Sequence, residues 1–185
     1  MDLDPQCDLD ALHQGIVDAI KAQFPQLVTV EDYREEDDRV RLRIPACLIE
    51  LSEMTPSEDD DAGTDQLPVY LRFEARLILG FRERKAKRAI RTLAGTFAAW
   101  VHMNQFERPV EPAQVMGVYP DDFDPALDQF EVWRVEWQHL AFLGESAWKG
   151  EDFLPQTVMV GVSPDIGTEH EVDYHDITDS PQVTP

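Results

Sequence analysis

Hydrophobic and polar positions alternate most strictly between Leu67 and Phe81. Seven successive odd-numbered residues, from Val69 to Phe81, are apolar. A single helix stripe cannot hold seven apolar residues at this spacing, so the pattern predicts a β-strand. At about 3.3 Å per residue the strand would span on the order of 45 Å, which exceeds most strands of a domain. We expect it to bend or to project as a hairpin arm.

The stretch from Arg84 to Phe106 has a helical period instead. Its apolar residues recur at three- and four-residue spacings, namely at Ile90, Leu93, Phe97, Trp100 and Val101. No proline interrupts the run, and Pro109 closes the region. Because the clearest strand patterns lie on either side, this helix is expected to cover a sheet.

The rest of the chain predicts one more helix and several strands. Asp8 or Asp10 can cap a helix that runs to about Gln23. The predicted strands, besides Leu67–Phe81, are Leu27–Tyr33, Arg39–Ile44, Ala46–Leu51, Ala113–Tyr119, Phe130–Phe142 and Gln156–Val162. Pro45 favours an edge or a bulge where it interrupts the pattern.

These elements predict an α+β fold with a mainly antiparallel sheet, whose long strands are covered by two helices. Residues 1–144 are expected to form a single domain. Residues 145–185 are expected to hold a linker, one further strand and an acidic tail, because eight acidic residues and no lysine or arginine follow residue 150.

The strand from Phe130 to Phe142 has two tryptophans on one face. Trp133 and Trp137 share that face, while Arg134 and Glu136 lie on the other. Strand tryptophans usually anchor a core or an interface, and stacking on sugars or bases is the alternative. The strand pattern already explains both residues.

The charge balance restricts the classes of partner. The chain of 185 residues has 37 acidic and 16 basic residues, a formal net charge of −21. Phosphates would be repelled, so general binding to nucleic acid or anionic membranes is disfavoured. The acidity is either an ordinary solvated surface or the lining of a passage through which DNA slides without sticking.

Five basic residues crowd the first half of the predicted central helix: Arg84, Lys85, Lys87, Arg88 and Arg91. Their position is electrostatically unfavourable, because a helix N-terminus already carries partial positive charge. They form either a solvated face or a surface that accepts acidic groups from a second copy of this acidic chain. We take them as candidate subunit-interface residues.

Two acidic stretches raise the question of metal binding. Glu53–Gln66 has four consecutive acidic residues, Glu58 to Asp61, but lacks the alternating spacing that wraps a cation. A mobile loop is the preferred interpretation. Glu169–Glu171 and Asp173–Asp176 include histidines without the helical H-E-x-x-H spacing, which favours a disordered or partner-ordered tail. We predict no metal site and no cofactor.

Motifs of catalysis and targeting are absent from the sequence. It has no G-x-x-x-x-G-K-[ST], G-x-G-x-x-G or G-x-S-x-G motif. Cys47 lies in a buried strand pattern, and two cysteines do not form a disulfide framework, so a reducing compartment is expected. No signal-peptide pattern or membrane-length apolar run is present. These absences favour a structural or binding protein of the cytoplasm over an enzyme.

Three stretches resemble a known family in their order and local patterns. They are L-D-A-L-H-Q-G-I-V-D-A-I-K-A-Q-F-P followed by R-L-R-I-P-A-C-L-I-E-L, then L-P-V-Y-L-R-F-E-A-R-L-I-L leading into K-A-K-R-A-I-R-T-L-A, and finally E-V-W-R-V-E-W-Q-H-L-A-F-L-G. Together they cover roughly residues 9 to 144. The chain resembles the tail terminator proteins of tailed bacteriophages, especially of Mu-like and related long-tailed groups.

The resemblance implies an α+β protomer that assembles into a homo-hexameric ring. Such rings cap the head-proximal end of the tail tube and join it to the head–tail connector or stopper protein, in the neck of the virion. They imply no catalytic residue, and DNA would pass through without specific binding. The residues from Glu151 onward lie outside the resemblance.

Three other functions remain open from the sequence. A different tail or neck completion protein would have similar patterns. An acidic module that mimics nucleic acid would also be highly charged, but it has no need to form a ring. An enzyme would need a cleft with carboxylates of perturbed pKa.

Overall fold

The protein is described by a computed structural model over residues 7–32, 42–80, 85–121, 130–147, 157 and 159–177. Residues 1–148 and 149–185 form two compact units. The division lies close to residue 144, where the sequence predicts the end of the first domain and the start of a linker. The first unit contains both α-helices and a five-stranded mixed sheet, which confirms the α+β class.

The elements of the first unit are α1 (Leu9–Gln23), β1 (Thr29–Asp32), β2 (Ala46–Pro56), β3 (Leu67–Gly80), α2 (Ala86–Val101), β4 (Gln114–Pro120) and β5 (Phe130–Leu143). The sheet order is β1-β2-β3-β5-β4. Only β1 and β2 pair in parallel, and the other three pairings are antiparallel.

Helix α1 forms where capping and apolar spacing agree. The Asp8 carboxylate accepts a hydrogen bond from the amide of Ala11 at 3.1 Å, as an N-cap does. Leu12, Ile16 and Ile20 are buried one turn apart, so one stripe of the helix faces the sheet.

Helix α2 is shorter than the predicted stretch, because it ends at Val101. The backbone leaves helical geometry two residues later, at Met103, which has a positive φ of 65°. The amide of Met103 donates to the carbonyl of Ala113 at 2.8 Å. Phe106 and Glu107 also have positive φ. Tertiary hydrogen bonding therefore ends the helix well before the proline that marks the end in sequence.

The core lies on one face of the sheet, under both helices. Strands β3 and β5 pair without interruption from Leu67 opposite Leu143 to Gly80 opposite Phe130. Phe73 and Trp137 stack in this core with ring centroids 5.7 Å apart. The largest core cluster combines α1, α2 and the odd-numbered positions of β3, as strict alternation predicts.

The other face of the sheet carries a smaller apolar cluster at one end. Ala46, Leu48, Ile78 and Val132 form it, and Leu42 and Ile44 pack against it. Leu42–Ile44 is not a strand, so the Arg39–Ile44 prediction is wrong over its described part. The carbonyls of Arg43 and Pro45 instead accept hydrogen bonds from Thr29. Residues 33–41 lie outside the described ranges.

Strand β2 extends beyond its predicted end at Leu51. Its last residues, predicted as a loop from Glu53, pair with β3 as far as Pro56 opposite Val69. A bulge at Leu51/Glu53 resets the alternation and places Glu53 2.8 Å from Arg72. Pairing with a strong neighbouring strand overrides the weak intrinsic preference of these polar residues.

The second unit is small but folded within residues 159–177. Strands β6 (Met159–Val160) and β7 (His175–Asp176) pair, with a 3₁₀ segment at Thr168–Asp173 between them. The amide of Gly167 donates to the Tyr174 hydroxyl at 2.9 Å. Strand β6 is shorter than the predicted strand Gln156–Val162, and the 3₁₀ segment and β7 are elements that the sequence did not predict.

Candidate functional site

A groove of the first unit runs beside the N-terminal half of α2. We call it the α2 groove; its volume is about 660 Å³. The lining residues are Phe24, Gln26, Pro45, Leu79, Lys85, Arg88, Ala89, Thr92, Leu93 and Thr96. Phe24 after α1, Leu79 near the end of β3 and Leu93 of α2 supply large apolar side chains to its floor. Phe24 and Leu79 are only 3% and 5% exposed, whereas Leu93 is half-buried.

Two cations stand at this groove without a carboxylate partner. Lys85 and Arg88 are exposed and line it. Neither they nor the exposed Lys87 forms a salt bridge within the described part of the chain. An exposed cation can pair with an acidic partner at little desolvation cost where the pair stays partly hydrated, and such a pair contributes about 0–1 kcal/mol.

The backbone adds to the positive character of this end of α2. Lys85 occupies the N-cap with a left-handed conformation, φ 69°, and no side chain caps the helix. The first turn has no acidic residue. The partial positive charge of the helix N-terminus is therefore not offset by a local carboxylate.

The structure separates the five basic residues predicted as one face. Lys85 and Arg88 line the α2 groove, whereas Lys87 is exposed and does not line it. The Arg91 guanidinium lies 5.9 Å from the ring centroid of Trp133, toward β5. Arg84 lies outside the described residues. Two of the five candidates are thus brought together with an apolar floor, which the helical pattern by itself does not reveal.

A network of charged side chains occupies the middle of the opposite sheet face. Arg76 contacts Glu50 at 2.8 Å, Glu74 at 3.2 Å and Asp121 at 3.1 Å. Arg134 contacts Glu74 at 3.1 Å. The side chains of Asp121 and Glu74 are only 8% and 11% exposed, so these pairs are poorly screened by water.

Tyr119 closes one side of this charged network. Its ring lies under the Arg134 guanidinium, 4.9 Å from the ring centroid. Partial burial and then a hydrogen bond to Glu136 raise the pKa of Tyr119 to about 12. The hydroxyl therefore stays protonated and acts as a hydrogen-bond donor, not as a base. Sequence analysis did not identify this network, although alternating Arg and Glu on two long strands was its signal.

His139 is buried under the core side of β5, with both ring nitrogens engaged. The indole N–H of Trp137 can only donate, so it donates to Nε2 of His139 at 3.2 Å. Nδ1 then carries the proton and donates to the carbonyl of Glu111 at 2.8 Å. Burial lowers the pKa of His139, opposed by the bond to Glu111, so the ring is held neutral as a structural group.

Two further side chains with possible chemistry, Cys47 and Asp60, are inaccessible or engaged. Burial raises the pKa of Cys47, which keeps its thiol protonated and unreactive. Asp60, in the acidic loop, accepts hydrogen bonds from Ser57 at 2.6 Å and Tyr70 at 2.9 Å, which lower its pKa. This loop is thus tied to β3 by specific contacts, whereas we predicted a mobile loop.

No cluster for metal chemistry forms among the residues that the structure describes: no three His, Cys, Asp or Glu side chains there are placed to share an ion. His170 contacts Asp173 at 3.2 Å within its own 3₁₀ segment. Among the described helices, none is long and apolar enough to cross a membrane.

Comparison with protein families and with curated proteins gives no match for this chain.

Proposed function

We propose that this protein is a structural subunit of a bacteriophage particle: a tail terminator that forms a homo-hexameric ring. The ring would cap the head-proximal end of the tail tube and bind the connector or stopper protein of the head. The observation that carries the proposal is the α2 groove, where two cations without a salt bridge to any described residue flank an apolar floor in a chain with a net charge of −21. Such a surface favours contact with another acidic protein surface.

The shape of the groove favours a head-to-tail contact over a symmetric one. A groove with basic edges is not complementary to itself, so its partner surface must lie elsewhere on the second copy. Repetition of such a heterologous contact closes a ring when the rotation between copies allows it. The resemblance to tail terminators supplies the ring of six and its place in the virion neck, after assembly in the host cytoplasm.

The remaining features support a structural role over a chemical one. Long paired strands, covered on one face by two helices, give a rigid protomer. The Arg76 and Arg134 network occupies the other face with its charges already paired. An acidic ring lining would let DNA pass without binding, because phosphates and carboxylates repel.

The test is solution mass by light scattering, with negative-stain images of the same sample. We expect a species of about six times 21.2 kDa that images as a closed ring. The measurement is repeated across protein concentration and with added magnesium, which screens the acidic charge. Reversal of Arg84, Lys87 and Arg88 to glutamate should prevent assembly. A monomer or a simple dimer under all conditions, including incubation with purified tail tubes, would contradict the proposal.

A further inference from the structure

The second unit exposes much apolar surface for its small size. Six large apolar side chains among residues 159–177 are between 42% and 91% exposed: Met159, Val160, Val162, Ile166, Val172 and Ile177. None of the described residues of this unit is buried. A folded segment without a core of its own gains little from hydrophobic burial, and exposed apolar surface of this kind marks a site of protein contact. We therefore expect another surface to cover part of this unit and to stabilise it.

One cavity of this unit combines apolar walls with a carboxylate. We call it the Tyr174 pocket; its volume is about 500 Å³, and it is lined by Met159, Gly167, Thr168, Glu171 and Tyr174. Glu171 is exposed and forms no salt bridge within the part of the chain that the structure describes. The pocket therefore offers apolar contact and one negative charge to the same occupant.

The ring of Tyr174 is held in place from two sides. Its hydroxyl accepts a hydrogen bond from the amide of Gly167 at 2.9 Å. A Cβ atom added at Gly161 would lie 2.8 Å from the ring, so the ring packs directly on the backbone of that glycine. A fixed aromatic ring near a carboxylate favours a cation, because the ring face attracts positive charge and the carboxylate pairs with it.

The charge of this region restricts the occupant further. Eight acidic residues and no lysine or arginine follow residue 150. Nucleic acids and anionic membranes are repelled by such a segment, whereas a basic protein is attracted to it. The chain as a whole carries −21, so long-range attraction favours a different, basic protein over a second copy of this chain.

We propose that the second unit binds a basic surface of a different protein, with an arginine or lysine side chain of that protein in the Tyr174 pocket. The aliphatic part of this side chain packs on Met159 and Tyr174, and its charged end pairs with Glu171. Apolar side chains of the partner cover exposed residues such as Val172, which follows Glu171 in the chain. The proposal goes beyond the tail terminator function and does not depend on ring formation.

Methyl NMR of the methionines tests the proposal on the full chain. The probe is a synthetic peptide of repeated leucine-arginine-serine triplets, and the signal of Met159 is assigned with the variant Met159→Leu. We expect the Met159 methyl signal to shift and to saturate as the peptide is added. Met54, Met103 and Met116 are equally exposed in the first unit, at 52%, 61% and 50%, and their signals should stay in place.

Two variants separate pocket binding from general attraction to an acidic chain. E171Q should weaken peptide binding about threefold, as the loss of one partly hydrated ion pair does. The matched control is E169Q, which removes the same charge from an exposed residue of the same 3₁₀ segment outside the pocket, and it should bind nearly as well as the unaltered chain. G161A displaces the Tyr174 ring without changing any charge, and it should also weaken binding.

Several results would overturn the proposal. They are the absence of a saturable Met159 shift, equal losses in E171Q and E169Q, and equal binding of a peptide with glutamine in place of arginine or serine in place of leucine. A Met159 shift with phosphatidylcholine vesicles and none with the peptide would assign a membrane instead. A lower solution mass of E171Q in light scattering would make a second copy the occupant. Failure of the chain to form rings would leave this proposal intact.

Discussion

The buried hydrogen bonds of His139 give the sharpest prediction about stability. Replacement by phenylalanine keeps an aromatic ring between Phe73 and Phe106, whose centroids lie 6.1 and 5.7 Å from the imidazole. It removes the acceptor of the Trp137 indole N–H and the donor to the Glu111 carbonyl. The substitution therefore isolates the polar contribution from the packing contribution.

The magnitude follows from the burial of the two groups left behind. Trp137 is fully buried, so its unpaired N–H costs about 1–3 kcal/mol. Glu111 is an exposed residue whose carbonyl can bind water instead, so loss of its hydrogen bond to His139 costs about 1 kcal/mol. We expect H139F to lower the free energy of unfolding by about 2–4 kcal/mol, a large part of a typical 5–15 kcal/mol.

The loss should also depend on pH in a defined direction. Burial lowers the pKa of His139 below its ordinary value of about 6.5. Between the pKa of His139 in the folded state and its ordinary value, the unfolded state binds more protons than the folded state. The stabilisation by neutral His139 is therefore complete above about pH 6.5 and is lost as the pH falls through the folded-state pKa. H139F has no such group. The difference between the two proteins should shrink as the solution is acidified.

Urea unfolding followed by tryptophan fluorescence measures both effects, at about pH 7.5 and about pH 5.5. The matched control is H102F, because His102 is exposed just after α2 and should change stability by no more than about 0.5 kcal/mol. If H139F were as stable as H102F at neutral pH, the hydrogen-bond argument would be refuted. If the deficit grew on acidification, the assignment of a neutral ring would be wrong.

Two further predictions concern the sheet face and the first helix. R76L removes the cation that the nearly buried carboxylates of Glu74 and Asp121 share, although Glu74 keeps its contact with Arg134, so it should lower the free energy of unfolding by about 3–5 kcal/mol in chemical denaturation. The control R72L removes a half-exposed pair and should cost no more than about 1 kcal/mol; equal losses would contradict the burial argument. Asp8→Ala removes the N-cap of α1 and should cost about 0.5–2 kcal/mol by the same method, whereas Asp8→Asn should retain most of the stability.

The sequence predicts the elements whose pattern is local. Strict alternation locates β3 to within one residue of its end at Gly80, and apolar spacing with an Asp8 cap locates α1. The sequence does not predict the ends of elements that depend on contacts with neighbouring elements. The last residues of β2 are strand only because β3 lies beside them, and α2 stops at Val101 because Met103 bonds to Ala113.

In the candidate site, too, the local features are predictable from the sequence and the features that depend on tertiary contacts are not. The basic run of α2 is visible in the sequence, including Lys85 and Arg88. The apolar floor is not, because Phe24, Leu79 and Leu93 are far apart in the chain and meet only after folding. His139 was recognisable as a histidine at a core-facing position of an alternating strand, but its partner Glu111 comes from a loop with no pattern of its own.

The unbroken pairing of β3 with β5 has a mechanical consequence. Fourteen residue pairs lie in continuous register, from Leu67 opposite Leu143 to Gly80 opposite Phe130. Tension applied along these antiparallel strands in opposite directions loads their interstrand hydrogen bonds in shear, and they must rupture together. Tension across the strands would open them one at a time. The protomer should therefore resist pulling along its strands far better than peeling, which makes the direction of load decisive at any joint it forms.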